Sequence, residues 1–310
     1  MNLHKHTDDF SDLVSITAAY KHIPESAVER DYYIVLLLQN LENSEFAEQC
    51  VFKGGTSLSK CYPDSIERFS EDIDLTFLGM NLNDKTCGKT IKRIEKAMTE
   101  GFNTEKIVSE RSDRSKSMMV WYNSKENRIK LEIGSSVRPD PYSKKEIKTY
   151  IQEFLEEKNY KEAIEYYELH KVTLNVLNIE RTFVDKLMAV KRHAICGRLE
   201  EKVRHIYDVK RLYSLPEIQR FLDNREELKH LIQMTKDTDS FYLGKRNISK
   251  EYNPAETYSF ENWNHYFNQQ TRYNYEHLHK ELLYTDEPQN FDEALEVFSN
   301  ISEILRQIGE

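Results

Sequence analysis

The sequence VFKGGTSLSKCY, residues 51–62, contains the only Gly-Gly pair of a chain with nine glycines. The pair stands between a short apolar run and a predicted helix. Glycine lets the backbone turn sharply, and the N–H groups at a helix start attract anions such as phosphate. Gly54 and Gly55, with Thr56, Ser57 and Lys60, therefore form a candidate phosphate-binding turn. A capped helix start without a ligand has the same pattern, and no P-loop motif is present.

The next informative stretch is RFSEDIDLTF, residues 68–77. Strand alternation places Asp72 and Asp74 on one face and Ile73 and Leu75 on the other. Strands disfavour aspartate, and two neighbouring carboxylates repel each other unless a cation lies between them. The pattern predicts either a cation site or an exposed strand with a solvated polar face.

A third stretch, NRIKLEIGSS at residues 127–136, repeats this alternation. Lys130 and Glu132 share one face of the predicted strand. If this strand lies beside that of Asp72, then Glu132 completes a set of three carboxylates. Such a set, next to a phosphate-binding turn, is suited to two magnesium ions roughly 3.5–4 Å apart that act on a phosphorus centre.

Composition narrows the class of protein. The chain has 310 residues, of which 39% are hydrophobic and 31% charged, with a net charge of −9. No apolar run approaches the roughly 20 residues of a membrane span, and the first residues do not resemble a signal peptide. We therefore expect a cytoplasmic protein without membrane contact. Residues 181–211 contain nine basic and four acidic residues, which indicates either a nucleic-acid surface or a solvated helix pair.

The secondary-structure pattern changes near residue 140. Before it, strand-like runs alternate with helical patterns, and after it helices dominate. The sequence thus predicts an α/β fold: a mixed-sheet core with N-terminal helices at residues 1–140, followed by a mainly helical domain at residues 141–310. Predicted strands are 49–53, 72–78, 106–110, 118–121, 128–137 and 171–177, the last as an edge strand. Predicted helices are 31–43, 83–100, 182–195, 204–213 and 291–308.

Taken together, GGTSLSK followed by RFSEDIDL resembles the nucleotidyltransferase superfamily of DNA polymerase beta, and most closely the AbiEii/MenT-like toxins. RTFVDKLMAV, residues 181–190, is similar to that family's lysine motif and contains Lys186. RHIYDVKRL, residues 204–212, is similar to its later acidic motif and contains Asp208. The resemblance covers about residues 30–215.

The resemblance implies a magnesium-dependent transfer of a nucleoside monophosphate from a nucleoside triphosphate (NTP) to RNA, with tRNA as the expected acceptor. It also implies a toxin that is restrained by a partner antitoxin. The roles it implies are metal binding by Asp72, Asp74 and Glu132, triphosphate binding by Gly54, Gly55, Thr56 and Ser57, neutralisation of phosphate charge by Lys60, Lys130 and Lys186, and orientation of Lys186 or the acceptor by Asp208.

Two other functions remain open at this point. The acceptor could be a small molecule such as an aminoglycoside, or a protein side chain. Alternatively, the chain could be a catalytically inactive binding protein with the same fold.

Overall fold

A computed structural model describes residues 1–122, 127–242, 251–280 and 282–310. The chain forms two compact units. The first comprises Met1–Cys61 and Phe69–Leu177, and the second comprises Tyr62–Arg68 and Asn178–Glu310.

Seven strands of the described residues form one mixed sheet in the first unit, in the order β3-β4-β5-β2-β1-β7-β6. Strand β2 runs parallel to β5 and antiparallel to β1, and β1 runs parallel to β7. This arrangement confirms the predicted α/β fold with a mixed sheet. The strands are β1 (Cys50–Lys53), β2 (Asp72–Phe77), β3 (Asn103–Lys106), β4 (Ser115–Trp121), β5 (Arg128–Gly134), β6 (Tyr142–Ile147) and β7 (Val172–Leu177).

The alternation in β5 explains how the sheet obtains one apolar and one polar face. Ile129, Leu131 and Ile133 are fully buried, whereas Lys130 and Glu132 between them are half-buried. Because side chains alternate along a strand, the apolar set joins the core and the polar set lies on the opposite face. The helices of this unit are α1 (Thr7–Lys21), α2 (Glu25–Glu42), α3 (Gly54–Cys61), α4 (Asp84–Met98), α5 (Tyr150–Glu157) and α6 (Lys161–Tyr166).

Three features of the sheet differ from the sequence prediction. The strand predicted at residues 106–110 is wrong, because β3 ends at Lys106 and Val108–Glu110 forms a 3₁₀ turn. Strand β6 was not predicted, since most of its side chains are exposed and it lacks an apolar face. Strand β7 lies between β1 and β6 and is therefore not an edge. Because β6 and β7 complete the sheet, the compact units divide after Leu177, whereas the sequence pattern placed a boundary near residue 140.

The second unit is helical in its described residues. Its α-helices are α7 (Ile179–Ile195), α8 (Val203–Tyr213), α9 (Pro216–Asp223), α10 (Arg225–Tyr242), α11 (Gln269–Glu276) and α12 (Phe291–Arg306). Helix α7 packs on α8 through buried side chains such as Phe183, Leu187 and Ile206. Across the described parts of both units, no helix has the length and hydropathy needed to span a bilayer.

Candidate active site

The Gly-Gly turn lies directly against one of the predicted carboxylates. Gly54 follows β1, whose last residue, Lys53, pairs with Asp74 of β2. Gly54 has a φ of 85°, and a Cβ atom added to it would lie 2.3 Å from Asp74 Oδ2. No other residue type fits there without displacing that carboxylate. The chain therefore needs glycine at residue 54 for both its backbone angle and its close approach to Asp74.

The sheet also brings the predicted acidic residues together on one face. Asp72 and Asp74 are both half-buried on β2. In the parallel register with β5, Asp72 is opposite Lys130 and Asp74 is opposite Glu132. Residues paired in register point to the same side of a sheet. The polar face of β2 and β5 thus carries three carboxylates and one lysine.

Lys130 already neutralises part of this acidic face. Its Nζ pairs with Glu132 and lies 2.8 Å from Glu110 Oε2. Burial alone would lower the pKa of Lys130, but its hydrogen bonds to Glu110 and Glu132 raise the pKa above the ordinary value. The ammonium is therefore firmly charged and occupies the position beside Glu132.

The carboxylates of this face are candidate ligands for magnesium. Among the described residues, no three His, Cys, Asp or Glu side chains are arranged to hold a metal ion. Mg²⁺ is commonly bound by only one or two carboxylates together with substrate phosphates and waters. Asp72 and Asp74 offer that number of carboxylates, and metal binding by them stays a prediction. Metal binding by Glu132 stays a prediction that needs its ion pair with Lys130 to open.

The hydroxyls of the turn bind protein atoms. Thr56 donates to the Asp72 carbonyl oxygen, and its Oγ1 lies 2.9 Å from Ser70 Oγ. Ser57 Oγ donates to the Gly54 carbonyl at 3.0 Å. Both residues are buried. In this structure Thr56 fixes the turn against β2 and Ser57 bonds within the turn, and their contact with phosphate stays a prediction.

Lys60 has a structural environment that the sequence did not predict. Its side chain is 3% exposed, its Nζ lies 2.7 Å from Asp31 Oδ1, and it stands 4.0 Å from the centre of the Tyr150 ring. Asp31 Oδ2 also accepts a hydrogen bond from the Tyr150 N–H at 2.7 Å. Lys60 thus links the last turn of α3 to α2 and α5. An ammonium buried in these contacts is poorly placed to bind a phosphate in the turn.

The two predicted residues of the second unit meet in a buried charge cluster. Lys186 on α7 donates to Asp208 Oδ2 on α8 at 2.6 Å. Arg68 donates to both oxygens of the same carboxylate, at 2.6 and 2.7 Å. Burial by itself would raise the pKa of Asp208, but the charges and hydrogen bonds of Arg68 and Lys186 hold that pKa well below its usual range. We call these three residues the Asp208 cluster.

Arg68 is the member of this cluster that sequence reasoning missed. It is the first residue of RFSEDIDL, yet strand periodicity begins only at Asp72 and gives no reason to single out the arginine. Its side chain is 3% exposed. Arginine side chains are mostly exposed. Only the tertiary structure therefore reveals that the guanidinium of Arg68 binds Asp208.

Most basic residues of the window at residues 181–211 are buried or paired with acids. Arg181, Lys186 and Lys191 are buried. Burial lowers the pKa of Lys191 to about 8, and its ammonium donates to the Thr257 carbonyl at 2.7 Å. Further members form ion pairs with acids of the second unit: Arg192 with Asp239, Arg198 with Glu201, Lys210 with Glu293 and Arg211 with Glu67. Seven of the nine basic residues of the window are thus buried or paired, and its RNA-facing interpretation stays a prediction.

Comparison with known proteins identifies the family. Residues 36–297 match the family described as "Nucleotidyl transferase AbiEii toxin, Type IV TA system". The chain belongs to this AbiEii family. It is thus a nucleotidyltransferase-family toxin of the type IV toxin–antitoxin class, as the resemblance of its motifs indicated. A comparison with curated proteins found no match.

The AbiEii chain is also similar to several solved structures. MenT4, a nucleotidyltransferase toxin of Mycobacterium tuberculosis, is 16% identical with a TM-score of 0.48, over 95% of this chain and 98% of that one. A putative nucleotidyltransferase of Helicobacter pylori is 19% identical with a TM-score of 0.43, over 93% and 98%. JHP933, from the same species, is 19% identical with a TM-score of 0.42, over 92% and 94%.

Proposed function

We propose that this AbiEii protein is a magnesium-dependent enzyme that transfers a nucleoside monophosphate from an NTP to RNA, with tRNA as the expected acceptor, and that a partner antitoxin restrains it. The observation that carries the proposal is the packing of Gly54 against Asp74. Because residue 54 has no Cβ, the Asp74 carboxylate lies directly against the glycine turn, next to the candidate phosphate site. The same contact fixes the direction of a carboxylate suited to a divalent cation.

In this reaction, an acceptor hydroxyl attacks the α-phosphorus of the NTP, and the bond from that phosphorus to the bridging oxygen of the β-phosphate breaks. Pyrophosphate leaves in line with the attacking oxygen. When bound, magnesium would neutralise charge that develops on the phosphate oxygens. Asp72 and Asp74 would hold the ion, and Glu132 would join them if it exchanged the Lys130 ammonium for the metal.

The Asp208 cluster takes a supporting role in the proposal. The resemblance implies that Lys186 offsets phosphate charge, and that role would require its buried ion pair with Asp208 to open. Asp208 acts as a positioning residue, because its two oxygens fix the ammonium of Lys186 and the guanidinium of Arg68 in one arrangement. Charge-assisted hydrogen bonds of this kind are short and strongly directional.

The test is a transfer assay with the full chain, Mg²⁺, each α-labelled NTP in turn and total RNA. We expect label on RNA of tRNA size, which Asp74→Ala abolishes. Loss of a residue that merely supports a metal ligand typically costs 10–100-fold, so loss of a ligand should exceed about 100-fold. Asp12→Ala, at an exposed aspartate of α1, is the matched control and should keep full activity.

Three outcomes contradict parts of the proposal. Label on protein or on a small molecule alone refutes the RNA acceptor. No transfer to any acceptor refutes the enzyme and favours an inactive binding protein. An active Asp74→Ala variant refutes the assignment of the metal site.

A further inference from the structure

Helix α4 presents a row of lysines to solvent. Lys85, Lys89, Lys92 and Lys96 are all exposed. Their spacing of four, three and four residues places them on one face of the helix. At 1.5 Å per residue the row is about 16 Å long. We call these four residues the α4 lysine row.

The other charges of α4 already have partners. Asp84 lies 2.8 Å from Arg114, Glu95 accepts two hydrogen bonds of 2.7 Å from Arg111, and Arg93 lies 2.6 Å from Glu45. The acids of the helix are therefore neutralised by arginines. Within the described part of the chain, the four lysines form no ion pair.

The row concentrates positive charge on a protein with a net charge of −9. Like charges three and four residues apart repel each other along a helix, and no acid on α4 relieves that repulsion. On a flexible segment, four lysines would not keep a fixed arrangement. Helix α4 does hold them in one, because the helix is packed firmly against the protein. Ile91, Ile94 and Met98 are fully buried, and a Cβ on Gly88 would lie 2.9 Å from Asp113 Oδ1.

We propose that the α4 lysine row binds the phosphate backbone of the RNA acceptor. This inference rests on the proposed function, because it assigns a surface to that acceptor. A nucleic-acid backbone offers closely and regularly spaced negative charge, and lysines that neutralise it contribute affinity without sequence preference. The polar face near Asp74 is acidic, and seven of the nine basic residues of the window at residues 181–211 are buried or paired with acids, so the exposed α4 lysine row is the stronger candidate for contact with RNA.

The position of α4 indicates which part of the RNA it contacts. Helix α4 packs on β4 and β5. Burial lowers the pKa of Lys116 on β4, with smaller contributions from Arg111, from Glu95 and from Lys92 of α4. Lys116 is adjacent to Ser117, which is opposite Glu132 in the sheet, so by alternation Lys116 points away from the carboxylate face. The lysine row thus lies on the other side of the sheet from Asp74. We assign it to the body of the RNA and not to the end that reacts.

The experiment compares two double variants with the same change in charge. Lys89→Glu with Lys92→Glu disrupts the row, whereas Lys5→Glu with Lys161→Glu changes two exposed lysines on other elements. Binding of total tRNA is measured without NTP at several salt concentrations. Each lost phosphate contact lowers the slope of log affinity against log salt by about 0.7–0.9. We expect the Lys89→Glu, Lys92→Glu variant to bind tRNA roughly tenfold or more weakly, with a salt slope smaller by about 1.4–1.8. The Lys5→Glu, Lys161→Glu control should bind tRNA like wild type.

The outcomes separate this inference from the proposed function. If wild type labels RNA but the row variant binds RNA as tightly as the control, the lysine row is refuted and the function stands. If wild type neither binds nor labels RNA but labels another acceptor, both are refuted. If the row variant loses binding only to anionic phospholipid vesicles or to an acidic peptide, the RNA assignment is wrong.

Discussion

The two units each contain aspartates that matter for the proposed function, but they treat those charges differently. In the first unit, Asp72 and Asp74 are half-buried on a strand face with a glycine turn beside them. In the second, Asp208 is fully buried between Arg68 and Lys186. A buried carboxylate needs cations within the fold, because leaving water is costly. A half-exposed pair can instead take its cation from solution.

This difference separates residues suited to bind a ligand from residues that position other side chains. The Asp208 cluster is complete without a ligand, since both carboxylate oxygens already accept hydrogen bonds. The carboxylate face of β2 is only half-buried and is therefore accessible to a ligand from solution. Substitutions in the two regions should therefore affect different properties, and the predictions below test that contrast.

The largest expected effect is on stability. Asp208→Ala leaves two buried cations side by side without a counter-ion, and breaking a buried ion pair in this way typically costs about 3–5 kcal/mol of unfolding free energy. Asp74→Ala removes one of several like charges and should cost less than about 1 kcal/mol. Urea unfolding of both variants measures the difference. Equal losses in the two variants would contradict the contrast between the units.

A second prediction concerns the glycine turn. Gly54 and Gly101 have nearly equal φ values, 85° and 84°, but a Cβ at Gly101 would meet no atom within 4 Å. Alanine at either residue adds backbone strain of about 1–2 kcal/mol. Only Gly54→Ala also displaces the Asp74 carboxylate, and a shift of about 1 Å at a reacting site can cost 100-fold in rate.

The measurement is nucleotide transfer by each variant at equal folded concentration. We expect Gly54→Ala to lose about 100-fold in rate and Gly101→Ala to stay near wild type. If the two variants lose activity equally, backbone strain explains the requirement for glycine and the contact with Asp74 does not.

Sequence patterns predicted the features that repeat along the chain. Alternation placed Asp72 and Asp74 on one strand face, and it gave β5 the same two-faced character. Helical spacing found α2 and α4. These patterns succeed because burial of one face forces a period of two or 3.6 residues. Strand β6 was not predicted because it is an edge strand without an apolar face, so its sequence lacks the alternation.

The partners of single charged residues could not be predicted in this way. Lys60 follows the Gly-Gly turn, where a phosphate contact is the natural expectation, yet its ammonium pairs with Asp31 from a helix that precedes it in the chain. Arg68 meets an aspartate 140 residues away. No local period encodes such contacts, since they depend on how distant elements pack.

The smallest expected effect is on the pH dependence of stability. It concerns two stacked histidines of the second unit. His193 on α7 and His205 on α8 have ring centres 5.7 Å apart and planes 10° apart. Burial, followed by the nearby Arg192, lowers the pKa of His193 to about 4, and burial followed by Lys186 lowers the pKa of His205 well below its ordinary value. Neither ring therefore binds a proton readily in the folded chain.

Because the unfolded chain takes up these protons near pH 6.5, stability should be highest above that pH and fall as the pH decreases toward 4. We expect a loss of about 1–2 kcal/mol between pH 7 and pH 4.5, reduced by the partial exposure of His193. Urea unfolding of wild type and of His193→Gln with His205→Gln measures it, and the double variant should show a flatter pH dependence. If the double variant keeps the pH dependence of wild type, groups other than His193 and His205 cause the loss of stability in acid. The second unit would then depend on the ion pairs of its aspartates and not on the neutral state of these two histidines.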